Sequence, residues 1–274
     1  MLQMVFVKWG QLYGVDAINR LVRSILQNAT CGVRFTCITD DFTSDYAPEV
    51  TLKPFPAFAA PFDSLKSGCR LKLSMFAPGI LDEGIPTLFL DLDTLVRGDV
   101  AKVKNHLAGH PVIHLMKSHY IQWWPVQRWV KPVIGDKYYH GNSSAVGFYP
   151  EKYHWVFDRF NQMVVGAPEE ARSKTLQVDD RFISYATRDS LRVFPLSLLA
   201  KFSGEYMSPT HTCEAVRSHL PWVRSRRSNQ VAISFAGADL KPDRLMQLKT
   251  GDEIRYKWLR TRWNHTEFQD CWNN

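Results

Sequence analysis

Two aspartates one residue apart, Asp91 and Asp93, close the run Thr87-Leu88-Phe89-Leu90-Asp91-Leu92-Asp93. The apolar residues before them read as a buried strand, so both carboxylates stand at its carboxyl end. Negative charges held that close at the mouth of a buried strand are costly unless something positive sits between them. A hard divalent cation meets the need, because magnesium or manganese takes oxygens from one or two carboxylates and fills its shell with water and phosphate oxygens. The pattern therefore offers capture of a diphosphate through a metal ion. The plainer reading is an Asp pair that caps a turn or helix, and the triplet alone does not choose between the two.

The elements around the pair favour the first reading. Gln3 to Val7 predicts a strand, and Ile18, Leu21, Val22, Ile25 and Leu26 follow at helical spacing. A second strand, Phe35 to Thr39, ends at Asp40-Asp41, giving a βαβ unit and a locally parallel sheet. Open α/β sheets bind ligands outside the carboxyl ends of their strands, where Asp40, Asp91 and Asp93 all fall. Pro54, Pro56 and Pro61 exclude regular structure from 54 to 63, while Arg70 to Phe76 predicts a short helix. Further strands are expected at Pro111 to Met116, Val146 to Tyr149 and Val231 to Phe235. Helices are expected through Val156, Phe160, Met163 and Val164, and from Asp179 onward. Residues 117–140, with Trp123, Trp124, Trp129, Tyr138 and Tyr139, show no clean period and read as an insertion or lid. Arg255 to Trp272 reads as a basic, aromatic tail.

Composition sets the class. The chain has 274 residues, 45% hydrophobic and 22% charged, with no linker-like tract, which suits one globular α/β domain spanning 1–274. No membrane span or signal sequence is visible, and five scattered cysteines with no metal-like spacing suit a reducing compartment, so the expected location is the cytoplasm. The three Asn-x-Ser/Thr triplets would matter only in a secreted protein. A net charge of +7 favours anionic partners. It is too dispersed, and too free of recognition motifs, to predict nucleic-acid binding.

The run LFLDLDTLVRGDV, from Leu88 to Val100, resembles the D-x-D segment of GT-A-fold glycosyltransferases, particularly family 8 and related bacterial sugar transferases. The resemblance continues in order along the chain. Arg70-Leu71-Lys72-Leu73 is similar to the basic segment that reaches the nucleotide sugar, and Asn142-Ser143-Ser144 to the Asn-containing loop that holds the donor sugar. Gln177-Val178-Asp179-Asp180 resembles the acidic segment at a helix start, with Asp180 in place of the usual Gln. Ile233 to Gly237, then Lys241-Pro242, resembles the block whose Lys contacts the diphosphate.

This resemblance implies a Rossmann-type mixed sheet flanked by helices and a manganese or magnesium ion on Asp91 and Asp93. It also implies a nucleotide-sugar donor, with UDP and retention at the anomeric carbon favoured for family 8. Arg70, Lys72, Asn142 and Lys241 would bind substrate, Asp40 and Lys8 would lie near the nucleoside, and Asp179 or Asp180 would hold sugar hydroxyls or stabilise the cationic sugar. Each has a structural alternative: a solvated helix face for Arg70 and Lys72, a turn for Asn142 and Lys241, and helix capping for the aspartates. The acceptor, whether carbohydrate, lipid-linked or protein, is not legible. Arg224, Arg226 and Arg227 with the basic tail offer either a solvated face or peripheral contact with anionic lipid.

One departure from the family stands out. Its third metal ligand is a His in the C-terminal block, where this sequence has Ser234 and Ala236, while His211, His219 and His265 lie outside the block. A catalytically inactive nucleotide-sugar-binding protein is thus an alternative. So is a haloacid-dehalogenase-type phosphohydrolase, which also pairs aspartates after a buried strand. Against the latter, Leu95 stands where that family places Thr or Val, and a βαβ unit precedes Asp91.

Overall fold

The N-terminal βαβ unit forms as its periodicity predicts. β1 (Leu2–Lys8) runs parallel to β2 (Val33–Thr39), and α1 (Val15–Asn28) crosses between them. Alternate β1 residues enter two cores: Leu2, Met4 and Phe6 face one, Val5 and Val7 the other. Both faces of the strand are covered, hence its almost continuous apolar run. α1 buries Ile18, Leu21, Val22 and Ile25, each contributing about 1.5–3 kcal/mol of apolar burial.

The computed structural model describes residues 1–118, 141–165, 174–235 and 237–273. From residue 119 onward, the expected aromatic insertion lies outside the described residues, as does Ala236. The main sheet has seven strands in the order β3-β2-β1-β4-β7-β6-β8. Added to β1 and β2 are β3 (Val50–Lys53), β4 (Thr87–Leu90), β6 (His114–Met116), β7 (Asn142–Phe148) and β8 (Arg192–Val193). β3, β2, β1 and β4 are mutually parallel, and β7 lies antiparallel to β4 and β6. The sheet is therefore mixed, flanked by helices such as His154–Val164 and Asp179–Ala186.

From β1 the chain builds outward to β2 and β3, then returns to place β4 on the other side of β1. That reversal is a topological switch point, where a crevice opens at the strands' carboxyl ends. A second sheet, β5-β10-β9, starts immediately after Asp93. It consists of β5 (Thr94–Val96), β9 (Leu199–Lys201) and β10 (Ala232–Ser234). Asp91-Leu92-Asp93 is thus the link between two sheets, fixed by Asp91 N–H donating to Ser144 O at 2.9 Å and Phe235 N–H to Asp93 O at 3.0 Å.

The C-terminal basic, aromatic segment is folded. β11 (Glu253–Tyr256) and β12 (Leu259–Arg262) form a hairpin, followed by a helix, Thr266–Asn273. Trp263, Phe268 and Trp272 are buried with Leu95, Phe202 and Ile233 in a third core. Their aromatic character serves that core, while the arginines alternate outward along the hairpin.

Candidate functional site

A cavity of about 260 Å³ occupies the switch-point crevice. Val7, Lys8, Trp9, Leu12 and Tyr13 reach it from the end of β1, Cys69 and Lys72 from the segment Ser67–Phe76, and Asp91, Leu92 and Asp93 from the end of β4; Lys241 completes the lining.

Lys72 is the electrostatic centre. Only 8% exposed, its ammonium lies 2.5 Å from Asp91 Oδ1 and 3.7 Å from Asp179 Oδ2. Burial opposes its charge, but Asp91 and Asp179 outweigh burial and raise its pKa. Asp179 is buried, receives the Ser143 hydroxyl at 2.6 Å, and has its pKa pushed up to about 6 by burial against the pull of Lys72. Three segments remote in sequence are tied together by this one lysine.

Asp93 is only partly satisfied. Its Oδ2 accepts from Tyr13 at 3.1 Å and lies 3.5 Å from the Lys241 ammonium, which also donates to Tyr13. Its Oδ1 is buried without a hydrogen-bond partner. Burial, then the charge of Asp91, pushes its pKa up to about 7. A buried carboxylate oxygen with nothing to pair with is costly unless a positive group is brought to it. The oxygen donors of Asp91 and Asp93 suit a small hard ion, so the residues fit magnesium or manganese. Among the described residues no third His, Cys, Asp or Glu joins them.

The remaining sequence-predicted residues separate. Lys8 lines the cavity but is clasped by Asp41 at 3.0 Å, a carboxylate held ionised by Ser44 and Lys8. Asp40 is exposed and accepts from Gly10 N–H at 3.4 Å, bracing the loop after β1. Arg70 is buried away from the cavity, donating to the carbonyls of Ser64, Ser67 and Leu176. Asn142 opens β7 and accepts from Ser144 N–H at 3.1 Å, while its neighbour Ser143 reaches Asp179. Asp180 sits half-buried in the first turn of its helix.

Sequence reasoning gave no role to Tyr13 or Lys201, and named Asp41 and Ser143 only as members of the segments that follow β2 and open β7. Tyr13 and Asp41 had a signal, since each follows a parallel strand whose carboxyl end borders the crevice. Lys201 had none. It ends β9, a strand too short to show a period, and is 7% exposed. Burial lowers its pKa, opposed by the charges of Asp91 and Asp93.

No protein-family model and no curated protein matches the sequence. Solved structures do match. An active-site mutant of LgtC aligns at TM-score 0.61 and 12% identity, covering 98% of this chain and 94% of that one. The galactosyltransferase LgtC with donor and acceptor sugar analogues aligns at 0.58 and 13%, covering 99% and 95%. The bifunctional glycosyltransferase WbbM aligns at 0.59 and 13%, covering 88% of this chain and 46% of that one. With its mixed sheet, switch-point crevice and Asp91-Leu92-Asp93 link, the chain has the GT-A-like fold of these glycosyltransferases.

Proposed function

We propose that this chain is a metal-dependent glycosyltransferase that takes a sugar from a nucleotide sugar, with UDP as the carrier and retention at the anomeric carbon. The observation that carries the reading is the unpartnered Oδ1 of Asp93, beside Asp91 at the link between the two sheets. Asp91 and Asp93 would hold magnesium or manganese, which when bound supplies positive charge against the diphosphate that departs. Trp9, Leu12 and Tyr13 present an apolar and aromatic wall suited to the nucleoside. Lys241, 31% exposed and flanked by Asp93 and Tyr13, is free enough to turn to a phosphate oxygen as charge develops there. Lys72 holds Asp91 and Asp179 in place by its two ion pairs, and the Ser143 hydroxyl fixes the orientation of Asp179 toward the sugar.

A thermal-shift panel of UDP-, GDP- and ADP-sugars, with and without manganese, tests the reading. At about 100 times its dissociation constant, a ligand specific for the folded state stabilises by about 2.7 kcal/mol. A UDP-sugar should raise the melting temperature, and more so with manganese. No shift with any nucleotide sugar would sink the proposal. The phosphohydrolase alternative does not fit the GT-A-like fold. An inactive binding protein would give the same shift without releasing UDP when acceptors are added.

The hairpin supports a peripheral membrane position at the cytoplasmic face, though no helix among the described residues is long and apolar enough to cross a membrane. Arg255 stands directly opposite Arg260 and Glu253 opposite Arg262, with Trp258 58% exposed at the turn. Glu253 accepts from Arg255 at 2.8 Å and lies 3.8 Å from Arg260, so along Glu253–Arg262 one anion faces four cations, Arg255, Lys257, Arg260 and Arg262, and the ribbon keeps a surplus of positive charge. Acidic phospholipid attracts each such residue by about 1 kcal/mol, and Trp favours the interface. Phosphatidylglycerol vesicles should sediment the protein and phosphatidylcholine vesicles should not. Arg255→Glu with Arg260→Glu should abolish sedimentation, and its persistence would refute this contact.

A further inference from the structure

At the end of the second sheet, three polar residues share one row. Ser234 of β10 is in register with Thr94 of β5 on one side and Lys201 of β9 on the other. Residues in register project from the same face of a sheet, so the Thr94 and Ser234 hydroxyls and the Lys201 ammonium stand side by side. Two residues further along the same strands, Val96, Ala232 and Leu199 lie on that face and are core. The row is therefore the polar rim of an apolar interface, and it begins at the residue after Asp93.

The rim is short of partners. The Thr94 hydroxyl has none, nor does that of Ser203, two residues beyond Lys201. Lys201 makes no hydrogen bond or ion pair among the described residues, although it is 7% exposed. The stem of Lys201 is buried while its ammonium keeps some access to solvent and has no acceptor, whereas Asp93 Oδ1 is fully buried without a donor. The two lie in one site, yet Lys201 forms no ion pair with Asp93. A ligand that carries negative charge toward Lys201 and brings a cation to Asp93 would satisfy both.

The surroundings say which part of a ligand reaches Lys201. The charges that act on it are Asp91, Asp93, Lys72 and Asp180, whereas Lys241 sits on the Tyr13 side of Asp93. The two lysines thus flank Asp91-Leu92-Asp93 from different sides. Lys201 does not line the cavity below Trp9 and Tyr13, so a ligand with its nucleoside there would turn its far end toward Lys201.

We propose that Lys201, with the neighbouring Thr94 hydroxyl, forms an anion site for the terminal phosphate of a nucleoside diphosphate. The proposal rests on the nucleotide-sugar reading above and names a residue that the reading does not require.

Calorimetry of Lys201→Met against wild type, with UDP, GDP, ADP and the matching monophosphates as probes, tests it in chelator and in manganese. Losing one charge-assisted contact should weaken the preferred diphosphate about 10- to 100-fold, more in chelator than in manganese, and leave the monophosphate unchanged. The ligand-free variant should melt at or above the wild-type temperature, because it no longer carries an unpaired charge that burial opposes. Unchanged diphosphate affinity, or equal loss for mono- and diphosphate, would overturn the assignment. So would failure of both Lys201→Met and Lys201→Gln to fold, since an ammonium kept for a ligand is not needed by the fold. Wild-type protein that binds none of the nucleotides would instead sink the nucleotide-sugar reading itself.

Discussion

Asp93→Asn should abolish sugar transfer while leaving the protein folded. The amide keeps the volume of the carboxylate and can still accept from Tyr13, but it removes the charge at a buried carboxylate oxygen that lacks a partner. Loss of a metal-binding carboxylate removes the electrostatic stabilisation of the leaving diphosphate, an effect of roughly 10²- to 10³-fold or more. Stability should move the other way. Burial already pushes the Asp93 pKa up to about 7, so its ionised form is costly in the ligand-free fold, and the neutral amide escapes that cost at higher pH. The variant should therefore melt at or above the wild-type temperature at pH 8. Below about pH 6 the difference should shrink, as the folded protein protonates Asp93 while the unfolded chain does not.

Asp91→Asn should be as damaging to transfer by a different route, because it also leaves Lys72 with Asp179 alone. Manganese titrations complete the test. Two carboxylates should bind the ion weakly in the absence of nucleotide, and UDP should tighten that binding by the same factor as manganese tightens UDP. Transfer that survives both substitutions, or persists in excess chelator, would refute metal dependence.

How much of this was legible in the sequence follows from the range over which each feature is determined. β1, α1, β2 and β4 are set by local apolar periodicity, and the Asp91-Leu92-Asp93 link is contiguous, so all were readable. Arg70 and Lys72 looked equivalent, two cations in one basic segment. The fold separates them because residues two apart on a tight helical turn point to different sides: Lys72 meets Asp91, while Arg70 meets backbone carbonyls. Asp40 and Asp41 both follow β2, and only the loop geometry decides that Asp41 clasps Lys8. The packing of the basic, aromatic tail was not readable because aromatic residues in a basic segment give no sign of burial, and Trp263 and Phe268 find their core only against Phe202 and Tyr206, some sixty residues earlier. Lys201 becomes visible only when β9 pairs with β10, a contact no local pattern encodes.

The same dependence on remote contact makes Gly68→Ala the substitution with the largest expected effect on stability. Gly68 adopts φ +63°, and Cys69 after it φ 57°, a left-handed kink that opens the segment carrying Lys72. A Cβ at residue 68 would lie 1.8 Å from Gln177 O and 2.9 Å from Gln177 C. Neither neighbour is a flexible side chain, so the backbone before Asp179 or the backbone before Lys72 has to move. Both outcomes pull apart the Lys72–Asp179 pair, 3.7 Å in the native site. The left-handed conformation alone costs an alanine about 1–2 kcal/mol, and the clash should raise the total to about 4 kcal/mol or more. For a chain of this size that lowers the melting temperature by roughly 8–16 °C. Gly79→Ala separates the two contributions, since Gly79 has φ +74° but nothing within 4 Å of its Cβ position. It should lose only about 1–2 kcal/mol and keep full transfer activity. If Gly68→Ala melts with Gly79→Ala and transfers sugar normally, the contact with Gln177 does not hold the aspartate in place, and Asp179 must owe its position to Ser143 and Lys72 alone.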